Sequence, residues 1–312
     1  MKSHKKSISP ISILLGVILI LYSIILVLLL YWAVITAMKS NNDFVLGNNN
    51  FLELPREYHK GQGGILAPWE WEFENFANVA KFFDLKDLVR NGRRIRSIPF
   101  STQVMYTLLY AIGCSFFATL CPCIVAYATQ KFKYGFNKVV DAIVIIGMTV
   151  PIIGAQASML SLMHGLGLYD TFLGLYLQKF TFENMYYLMF SAIFKGVSKE
   201  YYEAAYIDGA TEWQVLVKIA LPLVLTSFGL VFLLYFINFW NDYQTLLIYA
   251  PSHPSIVYGL FKVMTASTGS SVRGQVPVQM AGCALITLPV IMLFIIFRNK
   301  LMGNLTIGGV KE

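Results

Sequence analysis

Glu203-Ala204-Ala205-Tyr206-Ile207-Asp208-Gly209-Ala210, running on through Thr211 to Leu221-Pro222, is a polar, small-residue stretch in an otherwise apolar chain. The chemistry it suits is docking. Glu203 can offer a charge-assisted contact, Ala204, Ala205 and Ala210 let another surface approach, and Asp208-Gly209 suits a sharp turn. A second polar set, Asn238, Trp240, Asn241, Asp242 and Tyr243, lies within an apolar stretch. Amides, a carboxylate and aromatic rings in that order suit sugar hydroxyls and apolar sugar faces; polar packing between helices would use the same groups. An Asp at the centre of a spanning helix costs about 2.5–3.5 kcal/mol, so these side chains are expected to face protein or water, not lipid. The remaining acids are dispersed, so no catalytic residue is expected. Cys121-Pro122-Cys123 reads as small packing residues beside a kink, and no disulfide, metal or cofactor is expected. No Gly-x-x-x-x-Gly-Lys-Ser/Thr phosphate loop occurs in the chain.

The elements that must hold these residues are membrane spans. Apolar residues make up 56% of the 312 and charged residues 13%, against about 25% charged in a soluble domain. A bilayer core needs roughly 20 mainly apolar residues per helix. The formal charge of +7 sits mostly in short loops beside spans, which argues for topology signals and against nucleic acid binding. Six spans fit: 11–37, about 100–129, about 139–163, a polar-interrupted one ending near Phe194, about 222–249 and about 278–297. The apolar run at 11–37 exceeds the roughly 7–15 residues of a signal peptide, so it reads as an uncleaved first span.

An even number of spans puts residues 1–10 and 301–312 on the same, cytoplasmic side. Lys2, Lys5, Lys6, Lys131, Lys195, Lys199, Lys218, Arg298 and Lys300 then fall inside, as the positive-inside rule asks. Residues 38–98 form a long extracytoplasmic loop whose acids nearly balance its bases, and 99–300 form one helical domain containing the 198–222 loop. The expectation is an all-α integral membrane protein. Within 198–222, Ser198 can cap a helix with acids in its early turns, Asp208-Gly209 breaks it, and Thr211-x-x-Gln214 fits a capping box for the next. Pro222 is tolerated in a first helical turn. A short helix, a turn and a second helix feeding the membrane would make a rigid elbow.

The stretch Glu203-Ala204-Ala205-(three residues)-Gly209 with Leu221-Pro222 downstream closely resembles the EAA signature of permease subunits in bacterial ABC importers. Asn238-Phe-Trp240-Asn241-Asp242-Tyr243 is similar to a segment of the carbohydrate permeases. Leu305-Thr306-Ile-Gly308-Gly309 looks like the tail of their maltose-type second permease, and Gly165-Leu-Gly-Leu-Tyr-Asp170-Thr matches an outer loop. Val197 departs from the family, where proline is common before the coupling helix.

The resemblance implies a transport subunit and no enzyme. It implies half of a transmembrane pathway for a sugar or oligosaccharide, or for a non-sugar solute such as glycerol phosphate, in a bacterial cell membrane. A second permease, a cytosolic ATPase dimer and an extracytoplasmic solute-binding protein would complete the system. Glu203, Ala204, Ala205, Asp208, Gly209 and Ala210 would contact the ATPase, as would Thr306, Gly308 and Gly309. A membrane-embedded glycosyl transferase and a standalone secondary transporter are the rival readings. The first needs convergent acids, and the second needs an internal repeat that the sequence lacks.

Overall fold

The computed structural model describes residues 10–39, 44, 73–83, 85–90, 93–132, 134–150, 154–265 and 276–304. Four helices among them are long and apolar enough to cross a membrane: Pro10–Ala37, Phe100–Lys131, Glu212–Asn241 and Val276–Phe297. The stretches expected to give the third and fourth spans are instead each built from two short helices.

Two compact units divide the chain, one comprising residues 1–83 and 260–288 and the other 84–259 and 289–312. In the first, helix α1 (Pro10–Ala37) exposes apolar side chains around nearly its whole circumference, the pattern of a helix meant for lipid. Its carboxyl end is held by Asn75 of α2 (Glu74–Phe82), whose amide donates to the Ala37 carbonyl at 3.0 Å and the Lys39 carbonyl at 2.8 Å.

The second unit opens with antiparallel strands β1 (Leu85–Arg90) and β2 (Arg93–Ile98), in register from Leu85 opposite Ile98 to Arg90 opposite Arg93. This corrects the all-α expectation: the described residues are mostly helical, with one hairpin among them. Its cause lies in Asn91-Gly92, a strong hairpin signal, with arginines on either side and the apolar Leu88, Val89 and Ile95 just beyond.

Helix α3 (Phe100–Lys131) is the axis of this unit. Against it pack α6 (Phe172–Lys179), α7 (Met185–Gly196) and α10 (Leu221–Asn241). Cys123, Ala126, Tyr187, Phe190, Ala220 and Val224 belong to one buried cluster. Gly113 lets α6 approach α3: a Cβ there would stand 2.2 Å from the Tyr176 ring.

Between α4 (Asn137–Thr149) and α5 (Ala155–Gly165) the third expected span is broken. Pro151 forces the residue before it out of helical geometry, and Val150 is extended (φ −88°, ψ 111°). Gly154 adopts φ 82°. The fourth stretch divides at 180–184, which holds Thr181, Glu183 and Asn184, and Asn184 caps α7 by accepting from the Tyr186 and Tyr187 amides.

The fifth expected span, 222–249, is also interrupted. Helix α10 stops at Asn241, and α11 (Gln244–Tyr249) begins after Asp242 has turned extended. The remaining helices are α8 (Glu200–Ile207), α9 (Glu212–Val215), α12 (Ile256–Thr265) and α13 (Val276–Asn304).

Candidate functional site

The elbow forms as its residues dictate. The Ser198 hydroxyl accepts from the Glu200 amide at 3.3 Å, and Glu200 and Glu203 sit in the first turn of α8, where the helix dipole favours acids. At the other end the Ala210 amide donates to the Ala205 carbonyl (2.9 Å) and the Gly209 amide to the Tyr206 carbonyl (3.0 Å). These two bonds are a Schellman stop, which needs a left-handed residue after the cap. Gly209 supplies it, with φ 79°.

Helix α9 then starts on the capping box read from the sequence. The Gln214 amide donates to the Thr211 hydroxyl, and the Thr211 amide donates to Gln214 Oε1 at 2.8 Å. From Glu212 to Asn241 the helix is unbroken, because a single π-helical turn, Leu216–Ala220, joins α9 to α10. Pro222 therefore does not begin a helix. The widened turn lies just ahead of it, where an ordinary helix would clash with the proline ring.

Ala205 of the elbow is buried and Ala210 half-buried, but its other acidic and small residues, Glu203, Ala204, Asp208 and Gly209, are exposed. So are large apolar side chains, with Ile207 87%, Trp213 69% and Tyr201 57% exposed. Sequence reasoning missed what stands behind the elbow. Lys131, at the end of α3, forms an ion pair with Glu212 of α9, and its side chain is only 9% exposed. The ammonium lies over the rings of Tyr206 (4.8 Å), Tyr127 (5.2 Å), Phe132 (5.3 Å) and Tyr202 (5.4 Å), and donates to the Tyr127 hydroxyl at 2.7 Å.

The Tyr206 hydroxyl donates to the same Glu212 oxygen at 2.7 Å. Burial pushes the Tyr202 and Tyr206 phenols above their ordinary range. Beside this cage is a cavity of about 400 Å³ edged by Gln130, Lys195, Lys199 and Glu203. The available signal was aromatic residues spaced four apart, Tyr202 and Tyr206, with Tyr127 likewise four before Lys131.

The second polar set divides. Asn238 and Asn241 lie on the exposed side of α10, one turn apart, with Gln244 exposed beyond them. Trp240 is 3% exposed and stacks on Phe236 at 5.6 Å. Asp242 turns inward, accepting from the Tyr110 hydroxyl at 2.8 Å and the Thr245 amide at 3.1 Å. Tyr243 is half-buried. The break after Asn241 separates Asp242 from the two asparagines. Thr306, Gly308 and Gly309 lie outside the described residues. Among the described residues no cluster of His, Cys, Asp and Glu could hold a metal.

Residues 118–302, from mid-α3 through nearly all of α13, match the family described as binding-protein-dependent transport system inner membrane component. The chain belongs to that family. Its members are transport subunits, and no step of chemistry is asked of these side chains. Among relatives of this membrane component is the diacetylchitobiose uptake system permease protein NgcG of Streptomyces coelicolor, 23% identical over 93% of this chain and 86% of that one. Another is the trehalose transport system permease protein SugB of Mycobacterium tuberculosis, 27% identical over 80% of this chain and 85% of the relative. The arabinooligosaccharides transport system permease protein AraQ of Bacillus subtilis is 25% identical over 73% and 79%. In fold, the chain resembles a chain of a bacterial ABC transporter that imports the polysaccharide alginate, with a TM-score of 0.72 at 19% identity, covering 96% of this chain and 99% of that one.

Proposed function

We propose that this subunit forms half of the transmembrane pathway of an ATP-driven importer for a sugar or oligosaccharide, and that the elbow at 200–215 seats on a cytosolic ATPase. The observation that carries the reading is the exposure of Tyr201, Ile207 and Trp213 around the Gly209 turn. Water-facing aromatic and aliphatic side chains on a short polar loop suit a protein interface, where such residues anchor binding. Glu203 adds a carboxylate beside them.

In this reading the chain crosses the membrane six times, the two broken stretches completing the count, and both termini lie in the cytoplasm. A second permease supplies the other half of the pathway, and an external binding protein delivers the solute. Asn238 and Asn241 face the pathway, while Trp240 and Asp242 hold the wall behind them. Thr306, Gly308 and Gly309 reach the ATPase pair. The sugar class rests on the substrates for which the relatives are named, which include diacetylchitobiose, trehalose and arabinooligosaccharides.

The test is labelling of Ile207→Cys with a membrane-impermeant maleimide in intact cells and in inverted vesicles, together with purification through a tag on this chain. Labelling only in inverted vesicles, with an ATPase retained on the tagged complex, is expected. Labelling from outside the cell would overturn the reading, since no cytosolic motor could reach the elbow.

A further inference from the structure

We infer that Lys131 is a positioning residue for coupling: a pin that makes α3 follow the elbow. The inference rests on the proposed docking of the ATPase. Helix α8 has no extensive packing partner of its own, and Ala205 is its one buried residue. Tyr202 packs against the buried cluster and edge-on to Tyr127, and what ties α8 to both α9 and the end of α3 is the cage. Tyr127 belongs to α3, Tyr202 and Tyr206 to α8, and Glu212 to α9, and all four meet at one ammonium.

Lys131 is half-buried at the edge of the cavity with its side chain largely withdrawn from water, and a charge so placed is costly unless it is paired and hydrogen-bonded. Lys131 meets both conditions only while α8 and α9 hold their present places. Any displacement of the elbow must therefore either carry the end of α3 along or strand the charge. Because α3 packs on α6, α7 and α10, a pull at Lys131 reaches the helices around it.

Lys131→Met is the informative variant, since its apolar stem still fills the space among the rings and Glu212 is left facing water, 58% exposed. Lys131→Arg keeps the charge and stacks on rings. The complex is purified through this chain with its ATPase, reconstituted in lipid nanodiscs, and deuterium uptake is compared with and without ATP plus vanadate. The wild type should show a nucleotide-dependent change in both the elbow, 200–215, and the inner part of α3, 114–131.

In Lys131→Met the elbow should still respond while the α3 response falls about tenfold, the scale of losing a hydrogen-bonded charge. Lys131→Arg should restore it, and Glu212→Gln should fall between. An α3 response in Lys131→Met within about twofold of wild type, well short of that loss, would overturn the pin. So would loss of both responses, which would make Lys131 a structural support only. If the wild-type complex retains no ATPase, the docking proposal itself fails, and the pin with it.

Discussion

Replacing Gly209 gives a graded test of the elbow. Its φ of 79° is a left-handed conformation, and a Cβ built there meets nothing within 4 Å. Crowding by neighbours therefore contributes nothing, and backbone strain is the whole effect. A residue with a Cβ loses about 1–2 kcal/mol in that conformation, whereas asparagine visits it readily. Alanine, at about 1 kcal/mol, should raise the population of the opened turn roughly fivefold, and the β-branched valine, at about 2 kcal/mol, roughly thirtyfold. Asparagine should change it by less than about twofold.

Chymotrypsin reports that population directly, because Tyr201, Tyr206 and Trp213 are cleavage sites within the elbow. Cleavage tracks the open fraction when the turn recloses faster than the protease cuts. The exposed Tyr134 and Phe136 supply an internal control whose cutting should not change. The ranking asparagine, alanine, valine is the prediction. If Gly209→Asn opens the elbow as much as Gly209→Val, left-handed geometry is not what the glycine provides.

Other substitutions probe other links. Tyr110→Phe removes the hydroxyl that donates to Asp242 and should destabilise the solubilised protein by about 1.5–3 kcal/mol, read as a lower thermal midpoint. In Gly174→Ala the new Cβ would stand 2.3 Å from the Leu168 carbonyl oxygen. Backbone must move, at about 1–3 kcal/mol, while Gly16→Ala, open on all sides within α1, should not lower the midpoint. Glu203→Ala should weaken binding of the purified ATPase by about ten- to a hundredfold, the scale of a charge-assisted contact, with the chain still inserted; unchanged affinity would remove Glu203 from the interface.

What could be read in the sequence was local. Thr211 and Gln214 are three residues apart, so their capping box was visible in the letters, and the turn at Asp208-Gly209 follows from one residue's freedom. The polar break before α7 was visible for the same reason. What escaped reading was distant or cumulative. Lys131 and Glu212 are 81 residues apart, and Tyr110 and Asp242 are 132 apart; no periodicity links such pairs. A straight helix through Asp242 would have kept it beside Asn238 and Asn241. Its own carboxylate, by taking the Thr245 amide, helps end that helix.

The π turn at Leu216–Ala220 has a geometrical consequence. The rod from Glu212 to Asn241 has 30 residues, about 45 Å at 1.5 Å each. One extra residue accommodated in the turn offsets the azimuth of everything beyond it by about 100°. The faces that the rod shows at its two ends are thus set independently of each other. A single insertion or deletion at this point would spin Asn238 and Asn241 around the axis while Glu212 kept its grip on Lys131, which gives lineages a cheap way to retune what the span presents.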